Sequence, residues 1–261
     1  MSDFIHTSLN ESILTLSICR PSARNAVNQD MYLALAEGLE KAQREPAIHV
    51  VLLKGGKDIF CGGNDMQDFA AMSQGQPDQY GGRFMKALIN CDTPIVAAVN
   101  GAAIGIGATL LQYVDFLYVS PTARLQTPFV AMGLCPEFGS SQRLEQQLGV
   151  RKARAMLLAG DPLSAQEAIT LGFANEICND PDAAAMKRAT GLARLAPKAM
   201  QNSKAMLMRE YRQQLLKIVD YENQQLMFLI TQPESQEAVS AFMEKRAPNF
   251  SESHTQVPSK G

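Results

Sequence analysis

Two features of this 261-residue chain could do chemistry together. The first is the glycine-spaced stretch Asn100-Gly-Ala-Ala-Ile-Gly-Ile-Gly107, which follows an apolar run and opens into an apolar helical pattern. A turn that leads straight into a helix leaves backbone N–H groups without intrahelical acceptors, and the helix dipole makes that end positive. In an apolar setting such donors suit an anion, including one that develops during a reaction. The second feature is a lone acid, Glu137, which follows Pro136 among apolar neighbours. An anion cradle beside an isolated carboxylate points to removal of a proton next to a carbonyl group. Neither feature is specific alone. A glycine loop can equally be close packing of a helix on a strand, and a single acid is more often a solvated loop residue.

Other chemistries lack their residues. There is no G-x-G-x-x-G after a strand, no phosphate-binding G-x-x-x-x-G-K-[ST] and no G-x-S-x-G. The three histidines, His6, His49 and His254, lie near the terminus, at a strand start and in the tail, so a Ser-His or Cys-His nucleophile pair has no support. Five cysteines at wide, irregular spacing make a disulfide framework or zinc site unexpected and favour a reducing compartment. No metal or separate cofactor is expected. With a net charge of −2, nothing draws the chain to nucleic acid or an acidic membrane. Residues 95–119 are long and apolar enough to imitate a membrane span, but Asn100, Gly101, Gly105, Gln112 and Asp115 interrupt them. No secretory leader or peroxisomal tripeptide is visible, so a cytoplasmic location is expected.

The elements that must position these residues read as α/β. A hydrophobic content of 46% supports a substantial core. Strands are predicted over 13–18, 48–53, 95–99 and 115–119, the second a continuous apolar run of the kind covered on both faces. A helix capped by Asn28 carries the stripe Tyr32, Leu35, Ala36, Leu39 and Ala42, and further helices are predicted over 78–91 and 106–112. Alternation of strands and helices implies parallel strands. Beyond about residue 140 helices dominate, over 141–148, 150–159, 164–171, 182–195, 198–209, 213–230 and 234–246. This methionine-rich end carries more apolar surface than an appendage can bury, so self-association is expected, with packing back on the core as the alternative. Only the tail from 251 to 261 reads as disordered.

Four motifs, in order, carry a resemblance. They are Arg20-Pro with Arg24-Asn-Ala-Val-Asn28 and Met31-Tyr32; Phe60-Cys-Gly-Gly-Asn-Asp-Met66; the Asn100–Gly107 loop with Thr109-Leu-Leu111; and Thr127-Pro-Phe-Val-Ala-Met-Gly-Leu-Cys-Pro-Glu-Phe-Gly-Ser-Ser141. Over residues 4–250 the chain resembles the crotonase (enoyl-CoA hydratase/isomerase) superfamily, and within it the peroxisomal-type Δ3,Δ2-enoyl-CoA isomerases. The resemblance implies a spiral of ββα turns over 1–195, a helical trimerisation region over 196–250, and trimers that can pair as hexamers. It implies a coenzyme A thioester as substrate and an oxyanion hole made by the backbone N–H groups of Asn64 and Ile106. It further implies contacts to coenzyme A from Arg24, Ala26, Met66 and Lys245, and an acyl pocket lined by Phe129, Met132 and Phe138. Asp65 is expected to anchor its own loop.

Departures from the family pattern concern acids. The two glutamates with which the family's hydratases hold water map to Thr109 and Phe129, which cannot do acid–base work. The isomerases of the second type carry their glutamate in a Pro-Glu step, matched by Pro136-Glu137. The expected activity is therefore conversion of 3-enoyl-CoA to 2-trans-enoyl-CoA in fatty acid β-oxidation, with Glu137 as the base. The alternatives are another reaction of the family, hydration or thioester hydrolysis, and a non-catalytic acyl-CoA binder.

Overall fold

The computed structural model describes residues 2–253. His254 and most of the expected tail lie outside them. The chain opens on an antiparallel hairpin, β1 (Ile5–Asn10) and β2 (Ile13–Ile18), turned at Glu11 and Ser12, both with positive φ. Next comes α1 (Gln29–Arg44). Its N-cap is Asn28, as predicted, and the Asn28 side chain accepts the Met31 N–H at 3.0 Å. The predicted apolar stripe of α1 is buried. There follow β3 (Val50–Lys54), β4 (Ile59–Cys61), α2 (Met66–Ser73), α3 (Gly81–Asn90), β5 (Ile95–Val99), β6 (Ala102–Ile104), α4 (Ile106–Thr109), β7 (Phe116–Val119) and β8 (Arg124–Gln126).

Each of β3, β5 and β7 is followed by a short strand that leaves its sheet. The long strands join β1, β2 and the two-residue β10 (Glu176–Ile177) in the order β1-β2-β3-β5-β7-β10, parallel beyond the first hairpin. The short ones pair with β9 (Leu163–Ser164) as β4-β6-β8-β9. This is the expected spiral of ββα turns. Sequence periodicity did not reveal the second sheet, because three-residue strands are too short to show alternation. The corner between β5 and β6 requires glycine: Gly101 has φ 67°, and a Cβ there would stand 1.7 Å from the Asp58 carbonyl oxygen.

The helical half comprises α5 (Ser140–Leu148), α6 (Val150–Arg154) running into a π turn over 155–159, α7 (Ala165–Thr170), α8 (Pro181–Ala193), α9 (Pro197–Leu229), α10 (Pro233–Glu244) and the short α11 (Phe250–Ser253). The two helices predicted over 198–209 and 213–230 are one helix of 33 residues, α9. Glu210, Tyr211 and Arg212 contain no helix breaker, and the buried side of α9 continues from Lys204 to Leu215, Val219 and Glu222. Lys204 pairs with Asp115 at 2.6 Å and Arg212 with Asp92 at 2.5 Å. Leu215, Val219, Ile230 and Val239 join the main apolar core, so these helices share it. Another face stays open, with Met206, Leu207, Tyr221 and Phe228 exposed. Among the described residues no helix is long and apolar enough to cross a membrane.

Candidate active site

Glu137 ends the loop that connects β8 to α5. Its residue is only 3% exposed, and Oε1 has no hydrogen-bond partner. Burial disfavours the charged form and pushes its pKa up to about 8. The negative neighbours Glu222 and Asp78 add to the rise, and the Thr109 hydroxyl opposes it. A carboxyl poised there can both take and return a proton near neutral pH.

The glycine loop meets this acid through α4. The Gly105 N–H donates to the Gln126 carbonyl at 2.8 Å, which anchors the loop on β8, while the N–H groups of Ala108 and Thr109 turn back to the Gly105 carbonyl. Gly105 has φ 54°, and Ile106 begins α4 with its side chain wholly buried. A side chain is thus accommodated where the donor of interest is main chain. Close packing is present as well: a Cβ on Gly107 would lie 2.6 Å from the Cys61 Cβ. The second candidate donor, Asn64, lies on a strap laced to the loop before α1. Val27 N–H donates to the Gly63 carbonyl at 2.8 Å, and Asp65 N–H to the Val27 carbonyl at 2.9 Å. Among the described residues the N–H groups of Asn64 and Ile106 find no acceptor in the chain.

Three side chains tie the two parts together. Thr109, fully buried on α4, lies against Glu137. Tyr32 of α1 donates to Asn64 Oδ1, and its buried hydroxyl feels the Glu137 carboxyl. Cys61 of β4 feels it too, and burial pushes its thiol up to about 12, so it stays neutral. Asp65 holds its own loop: Oδ1 accepts the Gln67 N–H at 2.8 Å, and Oδ2 pairs with Arg20 at 2.5 Å. Arg20 also donates to the Ala26 carbonyl at 3.1 Å.

Other expected contact residues lie on several segments. Arg24 is exposed in a left-handed conformation, φ 51°, and enters no ion pair among the described residues. Ala26 is half-buried, and its carbonyl keeps a second lone pair beside the Arg20 contact. Met66 is the half-buried first residue of α2, and Lys245 ends α10 exposed, with φ 56°. α10 packs on α2 and on the turn over Val130–Met132, which places Phe129 (buried) and Met132 (half-buried) under the same helix. Phe138 is wholly buried, its ring 4.5 Å from Tyr113 and 6.0 Å from Phe84 between centroids, and its φ is positive at 58°.

A 640 Å³ groove between α1 and α3 lies apart from all of these residues and is rimmed by Glu40, Arg44, Arg83 and Lys86. Within it Arg83 is bound to Glu40 at 2.7 Å. Tyr113 and Glu222, which carry no local motif in the sequence, also reach the turn that follows Glu137, through hydrogen bonds to Phe138 and to Gly139 and Ser141.

Known proteins resemble this chain over most of its length. Residues 8–253 match the family model described as enoyl-CoA hydratase/isomerase. The chain is 30% identical to the 2,3-dehydroadipyl-CoA hydratase of Escherichia coli, over 96% of this chain and 99% of that one. It is 31% identical to human enoyl-CoA delta isomerase 2, over 78% of this chain and 54% of the human protein. A solved enoyl-CoA hydratase/isomerase from Pseudoalteromonas atlantica superimposes with a TM-score of 0.90 at 37% identity, covering 95% of this chain and 100% of that one.

Proposed function

This chain belongs to the enoyl-CoA hydratase/isomerase family, and we propose that within it the protein shifts the double bond of 3-enoyl-CoA thioesters to the 2-trans position. The observation that carries the reading is the buried Glu137 carboxyl, with a free oxygen and a raised pKa, lying against α4 at the glycine loop. In the proposed reaction the thioester oxygen lies at the Asn64 and Ile106 N–H groups. Glu137 takes a proton from C2, the charge moves onto the oxygen as a dienolate, and the same carboxyl returns the proton at C4. Donors fixed in the fold stabilise the dienolate more than the neutral thioester, and each such donor is typically worth about 3–4 kcal/mol. One acid suffices because no water is added. Arg24, Ala26, Met66 and Lys245 would meet coenzyme A, and Phe129 and Met132 the acyl chain. The setting we infer is the degradation of unsaturated acyl chains, by a trimer or a pair of trimers assembled through the open face of α9.

Hydration is the second reading, favoured by the hydratase name of the Escherichia coli relative. Against it stand Thr109 and Phe129 at the positions of the two hydratase glutamates. Incubation with a 3-enoyl-CoA in deuterated water decides. The expected product is the conjugated 2-enoyl-CoA; a 3-hydroxyacyl-CoA instead establishes hydration, and unchanged substrate with calorimetrically detected binding establishes a binder without turnover.

A further inference from the structure

A second buried carboxyl stands behind the turn that carries Glu137. Glu222 lies on α9, 4% exposed, and its two oxygens accept the N–H groups of Gly139 at 2.5 Å and Ser141 at 3.0 Å. These are among the first donors of α5, whose N-cap is a glycine with no side chain to satisfy them. The missing cap is supplied from a helix 83 residues away, and a carboxylate there also faces the positive end of the α5 dipole. From the other side the Tyr113 hydroxyl donates to the Phe138 carbonyl at 2.6 Å. Between the two hooks Phe138 and Gly139 are both left-handed, with φ 58° and 72°. A phenylalanine does not adopt that conformation unless its surroundings impose it.

We propose that Glu222 is a positioning residue: from α9 it holds the turn over 138–141 so that the Glu137 carboxyl faces the glycine loop. The inference rests on the reading of Glu137 as the base. Electrostatics reinforce the geometry, since Glu222 is the largest influence after burial that raises the Glu137 pKa. Groups that face Glu137 from the packed elements are Thr109 of α4, Tyr32 of α1, Cys61 of β4, Asp78 before α3, Cys135 of its own loop and Glu222 itself. Those that face Glu222 are Tyr113, Cys135 and Ser141. None of them is a cation, so removal of the Glu222 charge is felt directly at Glu137.

The test compares Glu222→Gln and Glu222→Asp with Glu137→Gln, using steady-state turnover of a 3-enoyl-CoA across pH and the melting temperature of each variant. Glutamine keeps the size, can accept from one N–H and drops the charge. In Glu222→Gln, kcat is expected to fall roughly 10- to 100-fold, the range of a misplaced catalytic group, with KM changed less than about twofold. The acidic limb of its kcat/KM profile should also move to lower pH. Aspartate keeps the charge but falls short of the turn, so Glu222→Asp should lose kcat with the limb left in place. Wild-type kcat in either folded variant overturns the inference. So does a Glu222→Gln enzyme whose lost rate equals its unfolded fraction and whose limb has not moved. Should Glu222→Gln fail to fold, Glu222→Asp decides on kcat alone. Full turnover in Glu137→Gln would instead remove the base assignment itself, an outcome separable from intact Glu222 variants beside an inactive Glu137→Gln.

Discussion

Glu137 is an acid whose surroundings withhold ionisation until a proton is worth taking. On the proposed reading its replacement by glutamine keeps the volume and removes the base, so kcat should fall roughly 10²- to 10⁴-fold, while affinity for a saturated acyl-CoA, measured calorimetrically, stays near that of the parent. On the same reading the ionised form does the work, so kcat/KM should rise with pH through a midpoint near the raised value of about 8. Stability has the opposite sign. The folded pKa lies above the unfolded one, so the folded state holds its proton while the unfolded chain has lost it, and stability drains away as pH climbs from about 4.5 towards 8. The melting temperature of Glu137→Gln should therefore gain on the parent over that interval and level off above it. The lone acid after proline was legible from its apolar neighbours. The left-handed backbone at Phe138 was not legible, because phenylalanine carries no local signal for a positive φ.

The strands and helices were legible where they are long. Asn28 and the stripe of α1 announced that helix, and the apolar run at residues 48–53 announced a strand covered on both faces, found as β3 over Val50–Lys54. The second sheet was not, since β4, β6 and β8 have three residues each and hold their places through corners such as Gly101. That corner makes a sharp prediction. In Gly101→Ala the left-handed backbone alone costs about 1–2 kcal/mol, and the new methyl would sit 1.7 Å from a carbonyl oxygen, so the midpoint of urea unfolding should drop by more than the backbone term accounts for. An unchanged midpoint would mean that the corner can move away from Asp58. Glu222 and Tyr113 left no trace in any local pattern, because their partners lie 83 and 25 residues away along the chain.

Across the molecule, α9 has two faces with different duties. One carries Lys204, Leu215, Val219 and Glu222 into the interior; the other leaves Met206 and Leu207 about three-quarters exposed, with Tyr221 and Phe228 beyond. The proposed assembly would cover this row. Sedimentation should find an assembly, and Phe228→Glu together with Leu207→Glu should shift it to smaller species. A parent protein that sediments as a monomer at micromolar concentration would leave that face without its proposed role. The apolar excess of this half was visible in composition; its division between core and surface was not, because Leu215 and Leu207 differ only in which way the helix turns them.

The clamp between α9 and the turn after Glu137 also bears on biosynthesis. A ribosome has finished the cradle, the strap and the acid long before residue 222 is made, and until that residue emerges nothing caps α5 from behind. Contacts so distant along the chain form late in folding. On the proposed reading a nascent or truncated polypeptide would thus hold Asn64, Ile106 and Glu137 yet lack their alignment, and proton transfer would switch on only once α9 has docked.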